Sequence, residues 1–139
     1  MKISSRAGRI EPFYVMEVAK AASAMARELA HTDAPMIFLN IGEPDFTAPP
    51  RVQEAAVRSI HDGATQYTQA TGLLTLRERI SGWYATRFGV DIPASRIVVT
   101  AGASAALQLA CLALIDAGDE ILMPDPSYPC NRHFVSAAE

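Results

Sequence analysis

The sequence predicts an α/β fold in which a mainly parallel sheet is flanked by helices. From residue 50 onward, short apolar segments typical of buried strands alternate with longer segments of helical periodicity. Strands that alternate with helices in this way usually run parallel and are joined by crossover helices. The fold is organised around residues 97–115, where a β-branched strand leads through a tight turn into a helix that is apolar nearly all round.

The helices are predicted from apolar residues that recur at three- and four-residue steps. One covers residues 11–29, a second begins at Pro50 and is capped by Gly63, and a third covers residues 73–88. Trp83 lies on the apolar stripe of the third helix and is predicted to be part of the core. Residues 97–115 supply a fourth helix, which is predicted to be buried. The last ten residues begin another helix.

Three short apolar segments are predicted to be strands, at residues 36–39, 97–99 and 120–123. In parallel sheets, ligands bind at the carboxyl ends of the strands. The turns at residues 100–104 and 124–129 follow two of these ends. They are therefore the places to look for a binding site.

The turn at residues 100–104 has the composition of a phosphate-binding turn. The three residues before Ser104 carry no side chain larger than a methyl group. A phosphate can then approach the free backbone N–H groups and the positive end of the helix dipole, and the Ser104 hydroxyl adds a donor. The alternative is that the small residues serve close packing alone.

Two loops carry further candidates. Gly42 lies in a loop with three prolines and allows a ligand to approach the backbone, although the loop can equally be a connector. Tyr67 is the single aromatic residue of a small, polar loop. Its ring either binds a ligand or partner, or packs locally with its hydroxyl in water.

Composition and charge exclude several classes of function. A net charge of −3 does not indicate a positively charged surface for nucleic acid, and the arginines are too dispersed for a membrane-binding patch. The N-terminus lacks the apolar core of a signal peptide, and the longest apolar run is too short to span a bilayer. Cys111 and Cys130 have neither metal-binding spacing nor a disulfide pattern, so no metal site is predicted. These features favour a cytoplasmic enzyme.

Four segments together resemble the N-terminal third of the class I/II aminotransferases, which are fold-type I pyridoxal-phosphate enzymes. The segments are residues 40–46 (NIGEPDF), Tyr67 followed by Gly72 and Leu76-Arg77, residues 99–107 (VTAGASAAL), and residues 118–129 (GDEILMPDPSYP). They occur in the family's order and spacing, and they span essentially the whole chain.

The resemblance implies pyridoxal 5'-phosphate as cofactor and a role for five residues. Gly42 corresponds to the glycine near the substrate carboxylate. Ala103 and Ser104 correspond to the turn that holds the cofactor phosphate, and Tyr128 to the aromatic residue that stacks on the pyridine ring. Tyr67 corresponds to the tyrosine that reaches the phosphate of the neighbouring subunit, which implies a homodimer.

The resemblance also implies how the chain is divided. Residues 1–48 correspond to an N-terminal arm and small-domain segment, and residues 49–139 to the first, incomplete part of the cofactor-binding large domain. The Schiff-base lysine, the aspartate on the pyridine nitrogen and the arginine for the substrate carboxylate are expected after Glu139. Lys2 and Lys20 lie in the arm, so this segment holds no catalytic residue. We expect it to be inactive and poorly folded by itself.

The expected reaction is the transfer of an amino group between an amino acid and a 2-oxo acid. A lyase or synthase of the same fold is one alternative, and a non-catalytic regulator domain that senses the cofactor is another. A dinucleotide-binding fold is disfavoured because no G-x-G-x-x-G follows a predicted strand.

Overall fold

The computed structural model describes residues 2–138, and within this range the regular structure is helical. The α-helices are α1 (Ser5–Gly8), α2 (Tyr14–Leu29), α3 (Pro50–His61), α4 (Leu74–Phe88), α5 (Ala103–Leu114) and α6 (Asn131–Ala138), and a 3₁₀-helix covers Ala94–Arg96. The five helices predicted from the sequence are confirmed. The sequence does not predict α1 or the 3₁₀-helix, because elements of four and three residues are too short to show periodicity.

Local residue chemistry explains where these helices begin and end. Pro50 opens α3 at a position whose N–H would have no partner in the helix. α4 ends at Phe88, and the N–H of Gly89 bonds to the Ala85 carbonyl at 3.0 Å. α2 begins at Tyr14, three residues later than predicted. Glu11 itself is disfavoured in the helical conformation because it precedes Pro12.

The predicted strands are not present as strands in the described part of the chain. Residues 36–39, 97–99 and 120–123 are non-helical, but no ladder of backbone hydrogen bonds joins them. The N–H of Val99 bonds instead to the carbonyl of Thr71, which lies in a loop. Apolar composition favours strands, but a strand also needs a hydrogen-bonded neighbour. The parallel sheet is therefore not confirmed within residues 2–138.

The predictions of burial are wrong for this chain. Ala138 is the one buried residue in the described range. Leu114 of α5 is 80% exposed, so α5 is not buried nearly all round. Trp83 is 52% exposed and packs edge-on against Tyr84, at a centroid distance of 5.1 Å, rather than in a core. An apolar helix is buried only where another layer covers it, and no layer covers α5 within residues 2–138.

The chain forms two compact units. The first, called the middle unit, is Ala48–Leu109. Within it, α4 packs against the 3₁₀-helix, and the hydroxyl of Ser81 donates a 2.6 Å hydrogen bond to the Ile92 carbonyl. This bond ties the middle of α4 to the segment that precedes the turn at residues 100–104.

The second unit, called the terminal unit, comprises the residues up to Thr47 and those from Ala110 onward. Arg132 of α6 forms a 2.9 Å ion pair with Glu11, and the Arg9 guanidinium donates to the Ser136 carbonyl at 3.4 Å. The ion pair is more than half exposed, so its contribution to stability is small. None of the helices described is long and apolar enough to cross a membrane.

Candidate functional site

The turn before α5 is shaped by hydrogen bonds between Thr100 and Gly102. The Gly102 N–H donates to the Thr100 carbonyl at 2.8 Å, and the Thr100 hydroxyl donates to the Gly102 carbonyl at 2.8 Å. Gly102 has a φ of +84°, which is strained for a residue with a side chain. Its carbonyl also accepts the N–H of Ala106 at 3.3 Å. The helix therefore begins directly after the glycine.

The first turn of α5 presents backbone donors to solvent. The first N–H groups of a helix have no acceptor within it, and these include the N–H groups of Ala103 and Ser104. Both residues are exposed, and the turn contains no acidic residue to offset the positive end of the helix dipole. This geometry can accept an anion such as a phosphate group. The roles of Ala103 and Ser104 in cofactor binding stay predictions.

Tyr67 projects from the loop between α3 and α4. Its side chain is fully exposed, at 106% of the reference area, so its ring does not pack against any part of the chain that the structure describes. The alternative of a locally packed tyrosine is therefore wrong here. A phenol ring gains free energy when it is buried, so the exposed ring is suited to a contact outside this chain.

Tyr128 lies beside a cleft in the terminal unit. The cleft has a volume of about 430 Å³ and is lined by residues 123–129 and Arg132. The ring of Phe13 meets Tyr128 edge-on, with centroids 6.0 Å apart and planes at 72°. Tyr128 remains 52% exposed, so part of its ring is accessible to a ligand.

The Cys130 side chain raises the pKa of the Tyr128 phenol. A hydrogen bond with the Cys130 side chain raises the pKa of Tyr128 above its ordinary value of 10.0, and the electrostatic effect of the same sulfur acts in the same direction. At neutral pH the ring is uncharged. It can therefore lie against a flat aromatic ligand without adding a negative charge.

Gly42 lies in an exposed loop of the terminal unit. A β-carbon added there would meet nothing within 4 Å, so this chain does not itself require a glycine at position 42. The predicted approach of a substrate carboxylate stays untested. In the same loop, the amide nitrogen of Asn40 is buried and has no hydrogen-bond partner within the described residues.

The predicted site residues are divided between the two units. Tyr67, Ala103 and Ser104 belong to the middle unit, whereas Gly42 and Tyr128 belong to the terminal unit. Within the middle unit, the structure places Ala103 and Ser104 together at one helix end. Over residues 2–138, no three His, Cys, Asp or Glu side chains form a group that could hold a metal ion.

The sequence assigns no role to Arg77, although the residue lies in one of the matching segments. In the structure its half-buried guanidinium is turned onto backbone carbonyls of the middle unit. An arginine in a helical pattern gives no signal of where its side chain points. This contact therefore becomes visible only in the structure.

Comparison with known proteins gives a family match over most of the chain. The family described as aminotransferase class I and II matches residues 34–138. The (5-formylfuran-3-yl)methyl phosphate transaminase of Methanocaldococcus jannaschii is 38% identical over 133 residues, which cover 96% of this chain and 35% of the relative. The valine–pyruvate aminotransferase of Mycobacterium tuberculosis is 38% identical over 136 residues, which cover 98% of this chain and 34% of the relative.

Solved structures agree with the sequence relatives. The crystal structure of an aminotransferase from Mycobacterium tuberculosis matches with a TM-score of 0.88 at 38% identity, covering 99% of this chain and 34% of that chain. The chain thus spans about a third of the length of the proteins it matches. The family match and these likenesses show that the chain belongs to the class I and II aminotransferases, in which it corresponds to an N-terminal segment.

Proposed function

We propose that the whole protein transfers an amino group between an amino acid and a 2-oxo acid with pyridoxal 5'-phosphate, and that this chain supplies part of the cofactor site. The observation that carries the proposal is the turn before α5, where Gly102 has a φ of +84° and two exposed small residues follow. The relatives compared above are named as a transaminase and aminotransferases. These names favour amino-group transfer over a lyase or synthase reaction.

The turn fits the phosphate group of the cofactor. The N–H groups of Ala103 and Ser104 would donate to phosphate oxygens, and the Ser104 hydroxyl would add a further donor. Hydrogen bonds to an ionised phosphate are shorter and stronger than those between neutral groups. The positive end of the helix dipole also favours binding of the phosphate, and no acidic residue lies in the first turn of α5 to weaken it.

Two residues of the terminal unit, Tyr128 and Gly42, are proposed to serve the cofactor ring and the substrate. When bound, pyridoxal 5'-phosphate supplies a conjugated ring that withdraws electrons from the substrate. Tyr128 would hold that ring with its accessible face. The backbone at Gly42 would be approached by the substrate carboxylate.

The proposal includes the assembly of the protein and its place in the cell. Tyr67 acts on the phosphate of the partner subunit in a homodimer, so each site combines residues of two chains. Residues 1–48 form the arm and small-domain segment, and residues 49–139 the first part of the large domain. The protein works in the cytoplasm.

The test is made on the full-length protein. Apo-protein is titrated with pyridoxal 5'-phosphate, and amino-group transfer is measured with panels of amino acids and 2-oxo acids. We expect saturable binding, transfer from at least one amino acid, and borohydride-trapped cofactor on a lysine other than Lys2 or Lys20. Cofactor trapped on Lys2 or Lys20, or binding without any transfer, would contradict the proposal.

A further inference from the structure

Arg77 bridges two segments of the middle unit that are separate in sequence. Its Nε donates to the Gly72 carbonyl at 3.2 Å, and its Nη1 donates to the Ala94 carbonyl at 3.0 Å. The guanidinium has a planar, forked set of donors, so it can hold both carbonyls at once. Arg77 thereby fixes the loop before α4 relative to the 3₁₀-helix.

The loop that Arg77 holds is in direct contact with Val99. The Val99 N–H donates to the Thr71 carbonyl at 3.0 Å. At Gly72, a β-carbon would lie 2.6 Å from the Val99 β-carbon and 2.7 Å from Val99 Cγ2. The backbone of Gly72 therefore lies directly against the Val99 side chain, with no room for a side chain at position 72. Val99 is thus held by two contacts with the loop. Its N–H bonds to Thr71, and its side chain lies against the backbone of Gly72.

Val99 leads directly into the turn that is proposed to hold the phosphate. The next residue, Thr100, makes both hydrogen bonds that shape the turn at Gly102. Ala103 then begins α5. Three residues separate Val99 from Ala103, and the two hydrogen bonds between Thr100 and Gly102 join these residues into one turn. A displacement of Val99 would therefore shift the donor groups of α5.

We propose that Arg77 is a positioning residue for the phosphate-binding turn, acting through Gly72 and Val99. The inference rests on the proposed function, because it takes the turn before α5 to be the phosphate site. Arg77 does not contact the phosphate in this assignment. It sets the direction in which the donors of α5 point, and so sets the share of cofactor affinity that comes from the phosphate.

The test separates the phosphate from the rest of the cofactor. Apo-protein of full length is titrated with pyridoxal 5'-phosphate and with pyridoxal, which lacks the phosphate. In Arg77→Gln we expect about tenfold weaker binding of pyridoxal 5'-phosphate, the size typical of coupling through a packed network, and unchanged binding of pyridoxal. The control is Arg79→Gln, a change at an exposed position of the same helix, which should leave both affinities unchanged.

A second variant distinguishes geometry from charge. Arg77→Lys keeps the positive charge but lacks the planar fork that bridges both carbonyls, so we expect it to reduce the preference for the phosphorylated ligand about as much as Arg77→Gln does. If Arg77→Lys keeps that preference in full while Arg77→Gln reduces it, the effect is one of charge and the positioning role is overturned. If Arg77→Gln fails to fold, Arg77→Lys carries the comparison. If neither gives soluble apo-protein, Arg77 serves folding and the proposal is overturned.

The remaining outcomes separate this proposal from the proposed function. If the unmodified protein binds pyridoxal as tightly as pyridoxal 5'-phosphate, the phosphate site itself is wrongly assigned. If the unmodified protein prefers the phosphorylated ligand and Arg77→Gln keeps that preference in full, only the role of Arg77 is overturned. Equal weakening for both ligands indicates a general loss of structure and also overturns it.

Discussion

Gly72 lies so close to Val99 that a β-carbon at position 72 would come within 2.6 Å of the Val99 β-carbon. Non-bonded carbon atoms are most favourably placed at about 3.5–4.0 Å, so such an approach is strongly repulsive. Gly72 also has a φ of +92°, which residues with a side chain rarely adopt. Both the space and the backbone conformation therefore require glycine.

Gly72→Ala should therefore destabilise the protein by about 3 kcal/mol, because it combines steric overlap with backbone strain. The free energy of unfolding would be measured by urea denaturation of the full-length protein. Gly82→Ala is a matched control, since Gly82 lies inside α4 with nothing within 4 Å of an added β-carbon. That control should stabilise by about 0.5–1 kcal/mol. Equal effects of the two changes would show that the contact with Val99 is absent.

The helices could be predicted from the sequence because their determinants are local. Pro50 opens α3, and the apolar periodicity of α4 runs until Gly89. Such signals lie within a few residues of the element they define. They hold whether or not another part of the protein is present.

The strands and the core could not be predicted in the same way because they depend on distant partners. Residues 97–99 have strand composition, but Val99 pairs with the loop residue Thr71. Leu114 is apolar and yet 80% exposed, since none of the described residues forms a layer over it. The small residues before Ser104 are visible in the sequence and predict a phosphate-binding turn, which stays a prediction. The contacts of Arg77 are visible only in the folded structure.

Ser104→Ala should weaken cofactor binding without a comparable loss of stability. The hydroxyl would contribute one hydrogen bond to a charged phosphate, worth about 1.5–3 kcal/mol of binding free energy. The affinity of apo-protein for pyridoxal 5'-phosphate would be measured by titration. Ser59→Ala serves as control, because the Ser59 hydroxyl bonds to the Ala56 carbonyl of its own helix. An unchanged affinity in Ser104→Ala would place the phosphate elsewhere.

Replacement of Tyr128 should reveal whether its ring or its hydroxyl matters. Tyr128→Phe keeps the ring and should change cofactor affinity little. Tyr128→Ala removes the ring and should cost about 1–2 kcal/mol of binding free energy. Affinities and the circular dichroism of the bound cofactor would be compared in both variants. If both changes were equally damaging, the hydroxyl would be the important group and the stacking role would be wrong.

The titration of Tyr128 should depend on Cys130. Because the pKa of Tyr128 is raised in the folded protein, its contribution to stability is present below its ordinary pKa of 10.0 and is lost as the pH rises through the folded value. Cys130→Ala should lower the pKa of Tyr128 towards 10.0, since it removes the hydrogen bond that is the main cause of the shift. Phenolate absorbance, taken as the difference from Tyr128→Phe in each background, gives the pKa directly. An unchanged pKa would mean that Cys130 does not contact the phenol in solution.

Tyr67 should act on the cofactor site of the partner subunit, because its ring is fully exposed among the described residues 2–138. Mixed dimers can test this with residues of this chain alone. One subunit carries Tyr67→Phe and the other carries Ser104→Ala, and differently tagged copies allow the heterodimer to be purified. If Tyr67 acts across the interface, one site of the heterodimer combines an intact Ser104 with an intact Tyr67, and the other site lacks both hydroxyls. If Tyr67 acts within its own chain, each site lacks one of the two.

The two arrangements give different binding curves for pyridoxal 5'-phosphate. Action across the interface predicts one site with the affinity of the unmodified protein and a second site weaker than either homodimeric variant. Action within the chain predicts two sites that match the two homodimeric variants, which are therefore measured as controls. Each lost hydroxyl is expected to cost about 1.5–3 kcal/mol, so the strong and the doubly modified sites should differ by a factor of at least about 100. If the heterodimer has no site of unmodified affinity, Tyr67 does not act across the interface. The composite site, on which the proposed homodimer rests, would then be wrong.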